Sequence, residues 1–260
     1  MDPLPTDIDW SRLRASTVID EDAAILTLNK PSGISVTGER HDTDIVELAA
    51  VAGEQLYPVH RIDKVTSGLV LMAKDLAAHG PLTRQFNKQT AEKTYLAIVA
   101  ATGMPETGVI DLPLSVGRKN RVRVAAPRER IREQDGRWFV EQADLLDSKC
   151  YPSTTHFATV QRGERHTVLA LRPVTGRRHQ IRVHLAWTGH PILGDPLFDK
   201  SAALPRTYLH SWRLRVEAPW RTPQTLFLEA TPDSGFWEPE PLRDSALPDH
   251  AAELLPPAGR

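Results

Sequence analysis

The segment VHRIDKVTSGLVLMA, residues 59–73, joins a connection rich in reactive side chains to an apolar run of strand length. The run from residue 68 to 73 carries no charge, and its length and composition predict a β-strand. The connection before it contains six chemically capable residues: His60, Arg61, Asp63, Lys64, Thr66 and Ser67. Two interpretations are open from this stretch alone. Asp63 belongs either to a solvated turn, where it bonds its own backbone, or to a catalytic loop held at the rim of a sheet.

Short strand-like runs recur along the chain and interleave irregularly with fewer helical patterns. They predict strands at residues 24–28, 68–73, 94–99, 121–124, 156–160, 167–171 and 225–228. Helical spacing predicts one helix over residues 76–89, interrupted or started late at Gly80-Pro81, and a second over 178–187 that ends at Gly189. This mixture predicts an α+β fold with a mixed, mainly antiparallel β-sheet and flanking helices.

The charge distribution divides the chain into three parts. The net charge of the 260 residues is −1, but both ends are acidic and residues 31–230 are net basic by about six charges. We therefore expect an N-terminal arm over residues 1–20, a central domain over 21–230 and an extended tail over 231–260, which holds six prolines. A basic middle is compatible with a polyanionic partner such as nucleic acid.

Composition also limits the cellular setting. The chain has no apolar run near the roughly 20 residues that cross a bilayer, and its start, MDPLPTDIDW, lacks the features of a secretory signal. Cys150 is the only cysteine, so no intrachain disulfide can form. We expect a cytoplasmic protein without a membrane partner, and a monomer by default.

Two further stretches are rich in cations. In TGRRHQIRVHLAWTGHPILGDPLF, residues 175–198, Arg178 and Arg182 share a helix face, and the helix start could hold phosphates or supply a cation to a buried carboxylate. The alternative is a solvated basic face. His179, His184 and His190 do not stack on one face and have no acidic partner, so we expect no metal site. Residues 118–132 hold seven cations, which indicates either phosphate contacts or a solvated loop.

Together these segments resemble the pseudouridine synthases of the RluA type, which modify ribosomal and transfer RNA. The resemblance covers roughly residues 20–230, and the motifs follow the family's order. They are Asn29-Lys30-Pro31-Ser32-Gly33, His60-Arg61-Ile62-Asp63 with Thr66-Ser67-Gly68-Leu69, Glu92-Lys93-Thr94-Tyr95, residues 175–184, and residues 189–195. The resemblance implies a pseudouridine-synthase-like α+β fold with a central RNA-binding cleft, a catalytic domain over 21–230, and RNA as partner.

The resemblance also implies roles for individual residues. Asp63 matches the family's essential aspartate, Tyr95 the tyrosine that packs under the uracil, and Arg182 the basic residue that pairs with the aspartate. Arg61 matches an arginine associated with flipping the target base. Further RNA contacts are expected from Thr66, Ser67, Arg177, Arg178, His179, Gln180, Arg121 and Arg123.

The chemistry is consistent with these assignments. Converting uridine to pseudouridine breaks the N1–C1′ bond and forms a C5–C1′ bond without oxidation or group addition, so no cofactor is expected. One carboxylate can suffice, either as a nucleophile at C1′ or as a base, because the uracil ring carries charge itself. The base must leave its stack to be reached, and an aromatic face can hold it. A cation such as Arg182 favours the ionised form of a nearby carboxylate.

Two other classes of function remain as alternatives. One is an RNA-binding protein on the same fold that no longer catalyses a reaction. The other is a hydrolase built on His60, Asp63 and Ser67, which lacks the glycine-flanked nucleophilic serine of such enzymes.

Overall fold

The structure, a computed structural model, describes residues 9–38, 44–100, 103–199, 204–240 and 253–256. These residues include four α-helices: α1 (Trp10–Thr17), α2 (Ile45–Val51), α3 (Leu76–Asn87) and α4 (Gln180–Trp187). None of the described helices is long and apolar enough to cross a membrane.

The strands are numbered in chain order. They are β1 (Val18–Glu21), β2 (Ile25–Lys30), β3 (Tyr57–Pro58), β4 (Ser67–Ala73), β5 (Glu92–Val99), β6 (Thr107–Asp111), β7 (Leu114–Val116), β8 (Val122–Val124), β9 (Arg132–Gln134), β10 (Arg137–Phe139), β11 (Thr154–Arg162), β12 (Thr167–Pro173), β13 (Leu209–Glu217) and β14 (Thr225–Glu229).

The chain divides into two compact units: residues 1–93 with 209–235, and residues 94–208 with 236–260. In the first unit the strand order is β1-β2-β4-β13, with β3 paired to β4 and β14 to β13. Only β13 and β4 run parallel among these described pairs. The two units cut across the expected central domain, residues 21–230, whose limits stay a prediction.

Strand β4 forms the centre of the first unit. All seven of its residues are buried, and the strand predicted over residues 68–73 lies within it. Leu69 and Leu71 belong to one hydrophobic cluster with Leu82 of α3 and Leu214 of β13. The cluster therefore joins the sheet to the helix that follows β4.

Helix α3 is continuous, which differs from the expected interruption at Gly80-Pro81. It begins after Asp75, whose carboxylate accepts the N–H of Ala78 at 2.7 Å, and runs through Pro81. Burial of Ala78 and Leu82 against the sheet compensates for the backbone hydrogen bond that a proline cannot donate.

In the second unit the strand order is β5-β12-β11-β6-β10-β9, and only β10 with β6 is parallel among these described pairs. Strands β7 and β8 form a separate hairpin. Helix α4 contacts β8, β11 and β12, and its residues 180–186 are all buried. The α+β class with a mixed, mainly antiparallel sheet is confirmed.

Several segments expected to be irregular are ordered. In the expected arm, residues 1–20, the chain forms α1 and most of β1. Trp10 of α1 is buried, and its indole N–H donates to Glu54 at 2.8 Å. In the expected tail, Phe236 and Leu255 are buried. Residues 1–8, 241–252 and 257–260 lie outside the described residues.

Residues 132–139, for which the sequence predicted no strand, form a β-hairpin. Strands β9 and β10 pair across Asp135 and Gly136, which both have positive φ, 52° and 78°. An Asp-Gly pair at this place is a strong hairpin signal in the sequence, and our strand predictions missed it. Arg132 pairs there with Glu141 at 3.2 Å.

The end of β2 is held by a buried lysine. Lys30 is 0% exposed, and its ammonium group donates to the carbonyls of Pro31 and Ile34 at 2.8 Å and of Lys64 at 3.3 Å. Ser32 Oγ donates to the carbonyl of Val65 at 2.8 Å, and the N–H of Gly33 to that of Lys64 at 2.8 Å. The turn after β2 therefore fixes the two residues that follow Asp63.

We predict that Lys30→Met destabilises the protein by about 3 kcal/mol, because three carbonyls lose a charged donor in a buried setting. Urea unfolding at neutral pH measures this loss. Lys88→Met is the matched control, since Lys88 is exposed and its replacement should change stability by less than about 0.5 kcal/mol. Equal effects of the two substitutions would contradict the role of Lys30.

The second unit also buries a neutral histidine. His184 is 0% exposed, its Nε2–H donates to the carbonyl of Leu112 at 2.9 Å, and its Nδ1 accepts from Thr155 Oγ1 at 2.9 Å. Burial lowers its pKa to about 4. Between about pH 6.5 and pH 4 the unfolded chain binds more protons at this residue than the folded chain, so stability falls as the pH falls.

We predict that between pH 7 and pH 5 this linkage removes about 2 kcal/mol from the free energy of unfolding. His184→Gln should be less stable than the wild type at pH 7 but should lose about 2 kcal/mol less on acidification. Urea unfolding of both proteins at the two pH values tests this. An equal loss in both would show that His184 does not cause it.

Candidate active site

Asp63 lies on the loop between β3 and β4. The residue is half-buried, and its carbonyl accepts the N–H of Thr66 at 3.0 Å, which closes a turn before the strand. Ile62 on one side is buried, and Lys64 and Val65 on the other are bonded by the turn after β2. The loop thus holds a partly accessible carboxylate on a fixed backbone, as a catalytic group requires.

The residues after Asp63 are packed against β13. Gly68 has a φ of +106°, and a Cβ atom there would lie 2.2 Å from the carbonyl oxygen of Ser211. Ser67 Oγ donates to Nδ1 of His210 at 2.9 Å, and Nε2–H of His210 donates to the carbonyl of Ala230 at 2.9 Å. This part of the motif therefore anchors the loop to β13.

Thr66 and Ser67 are buried, each 2% exposed, and their side chains lie in the packed part of the loop. Their expected contact with RNA stays a prediction. Arg61, by contrast, is exposed on the same loop, as a residue that contacts a displaced base must be.

His60 does not have the surroundings of a catalytic base. Its ring stacks on Phe86 with centroids 4.6 Å apart, and its Nε2 accepts the N–H of Leu71 at 3.0 Å. Burial and the positive charge of Lys93 lower the pKa of His60 to about 3. Ser67 bonds to His210 rather than to His60, so the geometry does not favour a hydrolase.

Tyr95 lies on β5, where it pairs with Leu171 of β12. It is half-buried, whereas residues 93, 94 and 96–99 of the same strand are buried. Lys93 is 9% exposed, and burial lowers its pKa to about 8. The strand therefore presents one accessible aromatic ring among buried neighbours.

Arg182 lies on α4 and is held by the buried carboxylate of Asp195, which follows the helix in the sequence. Its Nε donates to Asp195 Oδ2 at 2.7 Å and its Nη2 to Oδ1 at 2.8 Å, and the two side chains are 3% and 0% exposed. Asp195 Oδ1 also accepts the N–H of Leu197 at 2.9 Å. A guanidinium has five N–H donors, and Asp195 engages two of its nitrogens in a bidentate geometry that fixes the orientation of the group.

Gln180, at the start of α4, has a structural role. Its side-chain oxygen accepts from Thr175 Oγ1 at 2.5 Å and from the N–H of Arg177 at 3.0 Å, while its amide nitrogen donates to Thr154 and Thr155 at 3.0 Å. With 4% exposure, its side chain is buried, and its hydrogen bonds order the loop before α4. Its expected contact with RNA stays a prediction.

The loop before α4 presents its charged residues outward. Arg177 and Arg178 are exposed, and His179, half-buried, adopts a left-handed conformation with a φ of 55°. Arg178 also donates a hydrogen bond to the carbonyl of Asn120 on the tip of the β7–β8 hairpin. The exposed arginines are placed as a phosphate-binding surface requires.

The β7–β8 hairpin carries the remaining two candidates. Val122 and Val124 are buried, whereas Arg121 and Arg123 are exposed, as the strict alternation in the sequence predicted. Within the described part of the chain, no acidic side chain pairs with either guanidinium. The other cations of residues 118–132 differ: Arg128 lies over the Trp187 ring at 5.1 Å, and Arg130 and Arg132 pair with Asp144.

The candidate residues thus fall into groups within each unit. Asp63 and Arg61 share one loop of the first unit with Thr66 and Ser67. Tyr95, Arg182 and the RNA-binding candidates Arg121, Arg123, Arg177, Arg178, His179 and Gln180 belong to the second unit. The pairing of Arg182 with Asp63 stays a prediction.

Three residues of structural importance received no role from the sequence. Lys30 and Asp195 stand inside motifs that we quoted, but a lysine or an aspartate in a motif does not indicate which atoms it bonds. His210 lies on β13, a strand that our pattern analysis missed altogether. The bond of His210 to Ser67 joins residues 143 positions apart, and no local signal indicates it.

Comparison with known proteins identifies relatives along most of the chain. A family model described as RNA pseudouridylate synthase matches residues 24–187. The dual-specificity RNA pseudouridine synthase RluA of Salmonella typhi is 34% identical over 209 residues, which cover 78% of this chain and 87% of that protein. The ribosomal large subunit pseudouridine synthase C of Haemophilus ducreyi is 34% identical over 243 residues, covering 89% of this chain and 70% of that one.

A solved structure shows the same fold at lower identity. The human RNA pseudouridylate synthase domain containing 4 superimposes with a TM-score of 0.69 at 24% identity, covering 87% of this chain and 92% of that one. The span matched by the family model includes Asp63, Tyr95 and Arg182. The chain therefore belongs to the RNA pseudouridylate synthase family, whose members are RNA isomerases.

Proposed function

We propose that this protein converts a uridine of ribosomal or transfer RNA to pseudouridine, with Asp63 as the reacting carboxylate. The observation that carries the proposal is the fixed backbone of the Asp63 loop. Lys30 and Ser32 donate hydrogen bonds to the carbonyls of the two residues after Asp63, and Gly68 packs closely against β13. In the reaction the N1–C1′ bond breaks, a C5–C1′ bond forms, the hydrogen at C5 leaves as a proton, and N1 takes up a proton from solvent, so the product is an isomer of the substrate. No oxidant, reductant or second substrate is needed.

The other candidate residues have distinct roles in this proposal. Asp63 attacks C1′ or removes a ribose proton, and the ring of Tyr95 supports the uracil. Arg182 is the cation that favours the ionised form of Asp63. Asp195 is a positioning residue that acts through Arg182, and Arg61 fills the space left by the flipped base.

The RNA itself is held by the exposed cations of the second unit. Arg121, Arg123, Arg177 and Arg178 are exposed, and His179 follows Arg178 directly in the sequence. Phosphate contacts of this type make binding depend on salt and carry little sequence information. One relative is named a dual-specificity RNA pseudouridine synthase and another a ribosomal large subunit pseudouridine synthase. The second name supports ribosomal RNA as a target, and transfer RNA is part of the proposal. We place the reaction in the cytoplasm and expect a monomer to perform it.

We predict that Asp63→Ala abolishes the release of tritium from RNA labelled at uracil C5, by at least about 1,000-fold relative to the wild type. The release reports bond formation at C5, which the carboxylate enables. Asp147→Ala, at an exposed aspartate, is the control and should release tritium like the wild type. Retained release by Asp63→Ala would favour another catalytic group. No release by any of the proteins, together with retained RNA binding, would favour the silent RNA-binding protein.

We predict that Asp195→Asn lowers the free energy of unfolding by about 3 kcal/mol, because it removes the negative charge of Asp195 from its buried bidentate pair with Arg182. It should also lower kcat while leaving the affinity for RNA unchanged, since Asp195 is buried. Glu229→Gln breaks an exposed ion pair of the same length, 2.7 Å to Arg213, and should cost less than about 1 kcal/mol.

Urea unfolding, single-turnover kinetics and RNA titration of the two variants together test the role of Asp195. A stable Asp195→Asn variant with unchanged kcat would show that Arg182 does not depend on Asp195.

A further inference from the structure

A small pocket lies beside the β7–β8 hairpin, wholly within the second unit. Its volume is about 180 Å³, below the roughly 300–1,000 Å³ of pockets for drug-sized ligands. Its walls are formed mainly by the apolar residues Leu114, Val116 and Val122 on the hairpin side and by Tyr151, Arg177 and Arg178 on the other. The size suits one flat ring, and the lining suits a ring attached to an anion.

An open strand edge borders this pocket. Leu114 exchanges two backbone hydrogen bonds with Tyr151, at 2.9 and 2.8 Å, on the side of β7 that faces away from β8. Gly117 donates to Arg121 at 2.7 Å on the side that faces β8. Backbone groups alternate sides along a strand, so the N–H and C=O of Val116 point away from β8, beyond the Leu114–Tyr151 pair.

The backbone edge at Val116 has no partner within the part of the chain that the structure describes. Among the residues that the structure describes, none bonds the backbone N–H or C=O of Val116, and Val116 is 50% exposed. The backbone N–H donor and C=O acceptor of Val116 therefore lie next to each other at the wall of the pocket. The neighbouring Ser115 also lines the pocket, is 1% exposed, and its Oγ has no hydrogen-bond partner among the described residues. Buried polar groups without a partner are uncommon in proteins and need an explanation.

The opposite wall is aromatic and cationic. The guanidinium of Arg177 lies 5.5 Å from the centre of the Tyr151 ring, and the ammonium of Lys149 lies 5.3 Å from it. Bases in single-stranded RNA stack on aromatic rings and on arginine planes, and the cations beside them meet the phosphates. Exposed Arg121 and Arg123 on the hairpin extend the positive surface.

We propose that this pocket binds one unpaired base of the RNA substrate, at a site distinct from the uridine that reacts at Asp63. The base packs against Tyr151 and Arg177, and its Watson–Crick edge bonds the N–H and C=O of Val116. The proposal rests on the proposed function insofar as RNA is the substrate. Every base has a donor and an acceptor adjacent on that edge, so the pocket selects for an unpaired nucleotide rather than for one base. RNA whose corresponding base is paired loses this contact.

The test uses fluorescein-labelled C12, an oligocytidylate that contains no uridine and so bypasses the reaction at Asp63. We expect single-stranded C12 to bind more tightly than its duplex with G12 in anisotropy titrations at low salt. Tyr151→Ala should weaken C12 binding by at least about 5-fold, and Tyr151→Phe should leave it unchanged. Val116→Pro removes only the unpaired N–H, and a proline is tolerated at an open strand edge. It should weaken binding by about 3- to 10-fold, while Val116→Ala should not.

The outcomes separate this proposal from the proposed function. Unchanged C12 affinity in either Tyr151→Ala or Val116→Pro would overturn the pocket, even if tritium release by the wild type upholds the reaction at Asp63. Weaker binding in both variants supports the pocket, even if no release is found. If Val116→Pro unfolds, photocrosslinking of wild-type protein to C12 containing 5-iodocytidine replaces it. Adducts on Tyr151 or within residues 114–122 would then support the pocket, and adducts only elsewhere would overturn it.

Discussion

The close approach of two backbones at Gly68 is the constraint on which the Asp63 loop depends. A Cβ atom at this position would lie 2.2 Å from the carbonyl oxygen of Ser211, so only glycine allows β4 and β13 to meet here in parallel. A side-chain hydrogen bond from Ser67 to His210 stabilises the same contact between β4 and β13. Because the loop enters β4 immediately before this contact, the position of Asp63 is coupled to a strand that lies far away in sequence.

A network of buried polar groups has the corresponding role around α4. Gln180 orders the loop before the helix. The hydroxyl of Thr155 accepts a hydrogen bond from the side-chain amide of Gln180 and donates one to His184. Asp195 fixes the guanidinium of Arg182 through two hydrogen bonds to its carboxylate. Such groups are costly to bury unless all of them are bonded, and a complete network specifies one arrangement. The helix therefore presents its cation in a defined orientation, at the cost of sensitivity to any substitution in the network.

The exposed part of the second unit has a different character. Its arginines are solvated and suit a contact with a phosphate backbone, which tolerates variation in position. The pocket at Val116 adds a contact that depends on shape and hydrogen bonding. An RNA-modifying enzyme needs both, because charge alone brings RNA to the surface without selecting which segment is unpaired.

The sequence alone determined the α+β class, the strands with continuous or alternating apolar patterns, and the motifs that point to the family. These features are local, because a hydrophobic period or a turn signal depends only on residues close together in the sequence. Strand β13, the helix α1 within the expected arm, and the course of α3 through Pro81 were not predicted, because distant packing decides them. The candidate residues were named from motifs, but only the tertiary structure separated the accessible Asp63, Tyr95 and Arg61 from the buried Thr66, Ser67 and Gln180. The physical reason is that the burial and the hydrogen-bond partner of a polar side chain depend on residues far along the chain, such as His210 for Ser67 and Thr155 for Gln180.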